Sequence, residues 1–259
     1  KMLERFGKLG NGPVSVERYH VMMEAVRLAY KMRDMFVADP LMADVPVAHM
    51  LSDAFCGDLA SRIDRKTRKA DLGPIPKPGG SDTIYMCVVD ESGMAVSFIN
   101  SIYSGFGSGI VTKKTGIVLQ NRGQGFVLDP RHPNCIAPGK RPMHTLVPAM
   151  AMRNGKPWAA FGVMGGNLQP AGHAYVMSNM LEYGLDPQEA VDCPRVFFEN
   201  GTCWAEEGVP KDVYKGLAAL GHPMQVKPEP WGGGQMVVME RGVLIGASDP
   251  RKDGMALGY

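Results

Sequence analysis

The chain has 259 residues, 45% of them hydrophobic and 21% charged, with a formal net charge of +2. That is enough chain to bury a core, and the balance leaves no case for a dedicated nucleic-acid or anionic-membrane binder. Five cysteines without a CxxC pair, and no apolar run long enough to cross a bilayer, argue against a disulfide scaffold, a structural zinc site and a membrane span, and point to a cytoplasmic, reducing location.

In chain order, residues 15–36 predict a helix. Ser15 can cap it, Glu17 sits in its first turn, and Tyr19, Met22, Met23, Val26, Ala29 and Tyr30 recur at helical spacing. Residues 47–69 predict a second helical stretch, which runs into the basic "RIDRKTRK". Residues 70–82, rich in proline and glycine, read as an exposed linker. The pattern then changes. Residues 84–89 and 94–100 flank "DESG" as a hairpin, and 104–109 form a glycine-rich loop. Residues 117–121 and 158–164 are further strands. Helices follow at 168–184, from Pro187, and at 212–221, and 234–251 closes as a hairpin. Helices, linker, then strands with interspersed helices predict a layered α+β protein.

Thr83 opens the first strand. A β-branched residue at a strand start is ordinary, and one threonine carries no motif. Its position after an exposed linker gives it a second reading, because such a segment is a favourable place for chain cleavage. Cutting the Asp82–Thr83 bond would give Thr83 a free α-amine beside its hydroxyl. The amine titrates near pH ~8 and can act as the base that a weak hydroxyl nucleophile needs. Gly165 and Gly166, after an apolar strand, can offer bare N–H groups to an oxyanion, or simply make a tight turn.

The blocks that carry these residues resemble the γ-glutamyltransferase family of N-terminal nucleophile hydrolases. "MEAVRLAYKMRD…ADP" resembles the end of that family's large subunit, and "TIYMCVVDESGMAV" the start of its small subunit. "FGSGIV", "GKRPMHTLVPAM", "GVMGGNLQP", "GLDPQEAVDCPR" and "GASDPRKDGMALGY" follow in family order. The resemblance implies a four-layer αββα sandwich. It implies that residues 1–82 are the end of the large subunit and 83–259 the whole small catalytic subunit, separated by self-cleavage between Asp82 and Thr83. It implies Thr83 as nucleophile, Ser101 as its hydrogen-bonding neighbour, and Gly165 and Gly166 as the oxyanion donors.

The sequence departs from the family at the residues that grip a γ-glutamyl group. Tyr103 stands for an asparagine, Arg122 for a glutamine or glutamate, Gly125 for an aspartate, and His144 and Thr145 for two serines. With "NLQPAGH", this pattern looks like the branch of glutaryl-cephalosporin acylase-like proteins and oxamate amidohydrolase. The substrate implied is a small amide with a carboxylate and no α-ammonium, held by Tyr103, Arg122, His144 and Thr145. Arg122 also fits an interface ion pair, His144 a packed core histidine, and Tyr103 a space filler. Asp249 fits a cap or an ion pair with Arg251, and His173 packs or caps. No metal and no cofactor are expected. The expected partner is the rest of a large subunit several times longer than 82 residues, in an αβ or (αβ)2 assembly. The alternatives are a γ-glutamyltransferase or glutathione hydrolase, and an uncleaved, non-catalytic homologue.

Overall fold

A computed structural model describes residues 1–69, 82–229 and 231–259. The expected linker thus lies, apart from Asp82, outside the described residues. In chain order the helices are α1 (Val16–Phe36), α2 (Val47–Met50), α3 (Asp53–Ser61), α4 (Leu168–Leu181), α5 (Pro187–Asp192) and α6 (Lys211–Ala219). The strands are β1 (Asp82–Val89), β2 (Ala95–Tyr103), β3 (Ala149–Arg153), β4 (Lys156–Met164), β5 (Val196–Glu199), β6 (Thr202–Ala205), β7 (Met224–Val226), β8 (Gly233–Glu240) and β9 (Val243–Ser248). They fall into two compact units, each assembled from three separate stretches of chain.

The first unit takes Lys1–Lys77, Gly123–His144 and Pro194–Pro228. Helix α1 is its axis, and the Ser15 hydroxyl caps it by accepting the Arg18 N–H at 3.4 Å. Val21, Ala25 and Leu28 pack with Leu9, Leu59 and Ile63. Tyr30 meets the ring of Phe197 on β5 edge-on, with centroids 6.1 Å apart. A helix covered on several sides needs no single apolar stripe, and the buried charges of α1 are hydrogen-bonded instead. Arg27 Nη1 donates to Glu24 Oε1 at 2.5 Å with both side chains 1% exposed. The small sheet has the order β5-β6-β7, antiparallel and then parallel.

This unit interlocks residues from both sides of position 83. Arg141 holds the buried Asp39 carboxylate through its backbone N–H, its Nε and its Nη2, at 3.0, 3.2 and 2.7 Å. The Tyr19 hydroxyl donates to the Pro194 carbonyl at 2.6 Å, and His20 Nδ1 meets His222 Nε2 at 2.7 Å. The division expected at residue 83 is one of cleavage, whereas the units are divisions of packing.

The second unit takes Pro78–Arg122, Thr145–Cys193 and Glu229–Tyr259. Its four-stranded antiparallel sheet has the order β3-β4-β8-β9. Ala159, Phe161 and Val163 of β4, with Met236 and Val238 of β8, face Val176 of α4 and Ala190 and Val191 of α5. On the opposite face Gly162 receives the Tyr85 ring of β1, which lies 2.4 Å from where a Cβ would be. The β1–β2 hairpin therefore forms a second sheet layer over the first. Its inner row is pinned by Tyr85 Oη to Ser97 Oγ at 2.7 Å. Helix, sheet and sheet form an α+β sandwich, as the sequence predicts.

Three expectations change at the level of elements. The stretch 47–69 divides into α2 and α3, because the Ser52 hydroxyl takes the Phe55 N–H at 3.2 Å and starts a new helix. Residues 117–121 form no strand: Val118 makes one isolated bridge to Val111. Strands β3, β5, β6 and β7 are additional, each only three to five residues long. No helix among the described residues is long and apolar enough to cross a membrane.

Candidate active site

The site grows from an irregularity in the β1–β2 hairpin. The ladder runs Ile84↔Asn100 and Thr83↔Ser101, and then jumps to Asp82↔Tyr103. Ile102 is the extra residue of a β-bulge, placed opposite the Asp82–Thr83 peptide. The bulge ends on Tyr103, whose φ is +81°. That region favours glycine, and a non-glycine residue held there costs about 1–3 kcal/mol. Local strain therefore lies across from the bond expected to be cut.

Three donors converge on one oxygen beside this bulge. Ser101 Oγ accepts from Thr83 Oγ1 at 3.1 Å, from the Tyr103 N–H at 3.0 Å and from Arg122 Nη2 at 2.9 Å. A hydroxyl oxygen has two lone pairs, so the three donors share them and Ser101 is fixed in orientation. The Arg122 guanidinium also lies over the Tyr103 ring, 4.7 Å from its centroid.

Arg122 is 8% exposed, and its Nη1 makes no hydrogen bond among the described residues. Burial pulls its pKa downward, and Tyr103 opposes that shift. A guanidinium stays protonated under such conditions. It is therefore a buried cation with one donor free, two hydrogen bonds from Thr83.

The backbone that delivers Arg122 was not anticipated from the sequence. The Asn121 N–H donates to the Ile102 carbonyl at 3.2 Å, and Asn121 Oδ1 accepts the Ser104 N–H at 3.0 Å. Gln120 Oε1 takes the N–H of Arg122 itself. The "QN" before Arg122 is the signal, since amide side chains often bond backbone near their own position in turns.

The remaining expected residues are placed as follows. Gly165 and Gly166, straight after β4, have φ of +128° and +59°. A Cβ on Gly165 would come within 3.0 Å of Gly232 Cα. Their carbonyls accept the N–H groups of Leu168 and Gln169 at 3.1 and 3.2 Å, so they form the entry to α4. N–H groups at a helix entry have no intrahelical partner and feel the positive end of the dipole. Thr145 is 7% exposed in the segment before β3. His144 is exposed and belongs to the first unit, so the packed-histidine reading fails. Asp249 is buried and pairs with Arg251 at 3.0 Å, as the ion-pair reading expects. Among the described residues no three His, Cys, Asp or Glu side chains are grouped to hold a metal ion.

A threonine at the start of a strand of such a sandwich, and a glycine turn at the entry of the helix packed on it, are the two features that the resemblance to N-terminal nucleophile hydrolases predicts. The model of the gamma-glutamyltranspeptidase family matches residues 1–259, and the chain belongs to that family. It is 39% identical over 257 residues to the glutathione hydrolase-like YwrD proenzyme of Bacillus subtilis, covering 94% of this chain and 48% of that protein. It is 40% identical over 256 residues to the oxamate amidohydrolase proenzyme of Klebsiella pneumoniae, covering 93% of this chain and 47% of that one. The glutathione hydrolase proenzyme of Escherichia coli is 30% identical over 277 residues, covering 100% of this chain and 47% of its own length. The crystal structure of cephalosporin acylase from Bacillus halodurans superposes with a TM-score of 0.89 at 36% identity, covering all of this chain and 48% of that chain. The chain thus spans about half the length of the relatives it matches.

Proposed function

We propose that the complete protein is a self-cleaving amidohydrolase that uses Thr83 to hydrolyse a small amide bearing a carboxylate, of the oxamate or glutaryl type. The observation that carries this reading is the buried Arg122, bonded to the acceptor of the Thr83 hydroxyl and holding Nη1 unpartnered. A carboxylate can take that donor in a charge-assisted bond. Tyr103 and Thr145 line the same binding region in this reading.

In the precursor, the Thr83 hydroxyl attacks the Asp82 carbonyl carbon. The acyl group moves from nitrogen to oxygen, which frees the Thr83 α-amine, and water then opens the ester to give the Asp82 carboxylate and return the Thr83 hydroxyl. In the mature enzyme the α-amine takes the hydroxyl proton as Thr83 attacks the substrate amide. The same proton passes to the leaving amine. The N–H groups of Gly165 and Gly166 face the oxyanion. Water then resolves the acyl-enzyme to the acid.

A second reading, γ-glutamyl hydrolysis or transfer, is favoured by the relatives named as glutathione hydrolases. Two features weigh against it. Arg122 is a cation where a substrate ammonium needs an anion. A Cβ at Gly125 would lie 2.9 Å from the Met143 carbonyl oxygen, which leaves no ready room for an aspartate there.

The partner in this reading is the remainder of the large subunit. The outer face of the hairpin exposes Ile84 (64%), Met86 (50%), Val88 (48%) and Phe98 (48%), a strip that suits a further layer. The test is the complete protein with its large subunit, assayed on oxamate, glutaryl amides and γ-glutamyl amides, beside a Thr83→Ala form. Cleavage into an 83–259 fragment of 177 residues, lost in Thr83→Ala, supports the reading. Preferential turnover of γ-glutamyl amides, raised by a dipeptide acceptor, would favour the second.

A further inference from the structure

Strands β3 and β4 separate just where the site begins. Their register is Ala149↔Phe161, Met150↔Ala160 and Ala151↔Ala159. Continued towards the site, it would pair Val147 with Val163. Those two residues do not pair. The Val147 N–H donates to Gln169 Oε1 at 3.2 Å, and the Val163 N–H donates to His173 Nε2 at 3.1 Å. Gln169 and His173 stand four residues apart on α4, on one face of the helix. Two side chains of one helix thus take the donors that the parting strands give up, and buried N–H groups need such partners.

Local packing brings His173 into reach. A Cβ on Gly172 would fall 2.6 Å from Val163 Cγ1, so α4 rests directly on that residue of β4. The Phe161 ring meets His173 edge-on at 5.2 Å. Because Nε2 accepts, the neutral ring carries its proton on Nδ1. Burial holds the imidazole pKa down to about 4, so the accepting form prevails at neutral pH. Gln169 is fully buried, and its Nε2 makes no hydrogen bond among the described residues.

What parts at this point are the two segments that carry substrate and oxyanion groups in the proposed reaction. Val163 is two residues before Gly165. Val147 is two residues after Thr145. We infer that Gln169 and His173 are positioning residues, which hold the β4 exit with its Gly165/Gly166 turn, and the segment bearing Thr145 that leads into β3, at the separation that the reaction needs. They touch neither substrate nor nucleophile. They act through Val163 and Val147.

The inference rests on the proposed role of Gly165 and Gly166, and its test uses the complete protein. A glutamine at 173 can place a carbonyl oxygen where Nε2 lies, whereas an asparagine carries the same group one methylene short. His173→Gln should keep kcat within about 5-fold of wild type. His173→Asn should lower kcat about 100-fold, the scale of a displacement near 1 Å, with KM within about 3-fold. Gln169→Leu should shift KM as well as kcat, since it frees the Thr145 segment. Melting curves of the Gln and Asn forms control for folding. Equal kcat in wild type, His173→Gln and His173→Asn overturns the inference alone, as does a loss of kcat that follows melting temperature rather than acceptor reach. A wild-type protein without Thr83-dependent turnover overturns the functional reading and this inference with it.

Discussion

Ser101 is the ladder partner of Thr83, and its Oγ accepts the Thr83 hydroxyl at 3.1 Å. The same oxygen is bonded to Arg122 and to the Tyr103 N–H, so it links the expected nucleophile to the expected substrate cation. Ser101→Ala removes the acceptor of all three donors at once. Hydrogen bonds involving a charged group are worth about 1.5–3 kcal/mol. Self-cleavage and amide turnover should therefore slow about 10- to 100-fold, and Ser101→Thr should restore most of both. The rate at which the 83–259 fragment appears on a denaturing gel measures the first effect. An undiminished rate in Ser101→Ala would remove Ser101 from the mechanism.

Arg122 is expected to act on substrate affinity. Arg122→Lys keeps the charge but loses the fork that bonds Ser101 while offering Nη1. KM for carboxylate-bearing amides should rise about 10- to 100-fold in Arg122→Lys and Arg122→Ala, on the same energy scale. An uncharged amide of similar size should show little change. If both variants bind carboxylate amides as wild type does, Arg122 is a structural cation and the substrate class must be reconsidered.

Much of this site could be read in the sequence, because its chemistry sits on strongly patterned segments. Thr83 and Ser101 lie on a hairpin whose turn and alternation are plain, and the glycine pair follows a long apolar strand. The bulge could not be read. Ile102 and Tyr103 continue the strand pattern, and only the pairing reveals that one residue is extra. His173 looked like packing because its partner is a backbone N–H at the end of another strand. Side-chain bonds to distant backbone leave no periodic trace. The short strands β5 to β7 are hard to read for another reason: each is only three or four residues long, too short for a period-2 pattern to stand out.

Tyr103 offers a direct measure of strain at the bulge. Its φ of +81° is unfavourable for any side chain except none at all. Tyr103→Ala and Tyr103→Gly both remove the ring from Arg122, so their difference isolates the backbone term. Tyr103→Gly should be the more stable of the two by about 1 kcal/mol. Denaturant titration of uncleaved Thr83→Ala precursors carrying each change provides the comparison. Equal stabilities would mean that the bulge relaxes when the side chain is lost.

Acid should loosen the first unit in two stages with different origins. His20 Nε2 lies 2.6 Å from the Asp64 carbonyl and so must donate to it, which leaves His20 Nδ1 to accept from His222 Nε2–H. Burial, then His20 and the nearby Arg68 and Arg27, depress the His222 pKa to about 3. The unfolded chain binds that proton more readily, so stability is complete above an ordinary histidine pKa of about 6.5 and falls as pH drops from there. Asp39 works lower on the scale. Its hydrogen bonds from Arg141 hold its carboxyl well below the usual range, so its contribution is complete above about 3.9 and is lost below that pH. Melting temperature measured from pH 7.5 to 3 should therefore fall first near pH 6 and again below pH 4. His222→Gln should shrink the first descent, leaving the part that the buried His173 contributes in the same window, and Asp39→Asn should lower the plateau and flatten the second. A first descent of the same size in His222→Gln and wild type would show that the buried histidine pair carries its extra proton without cost.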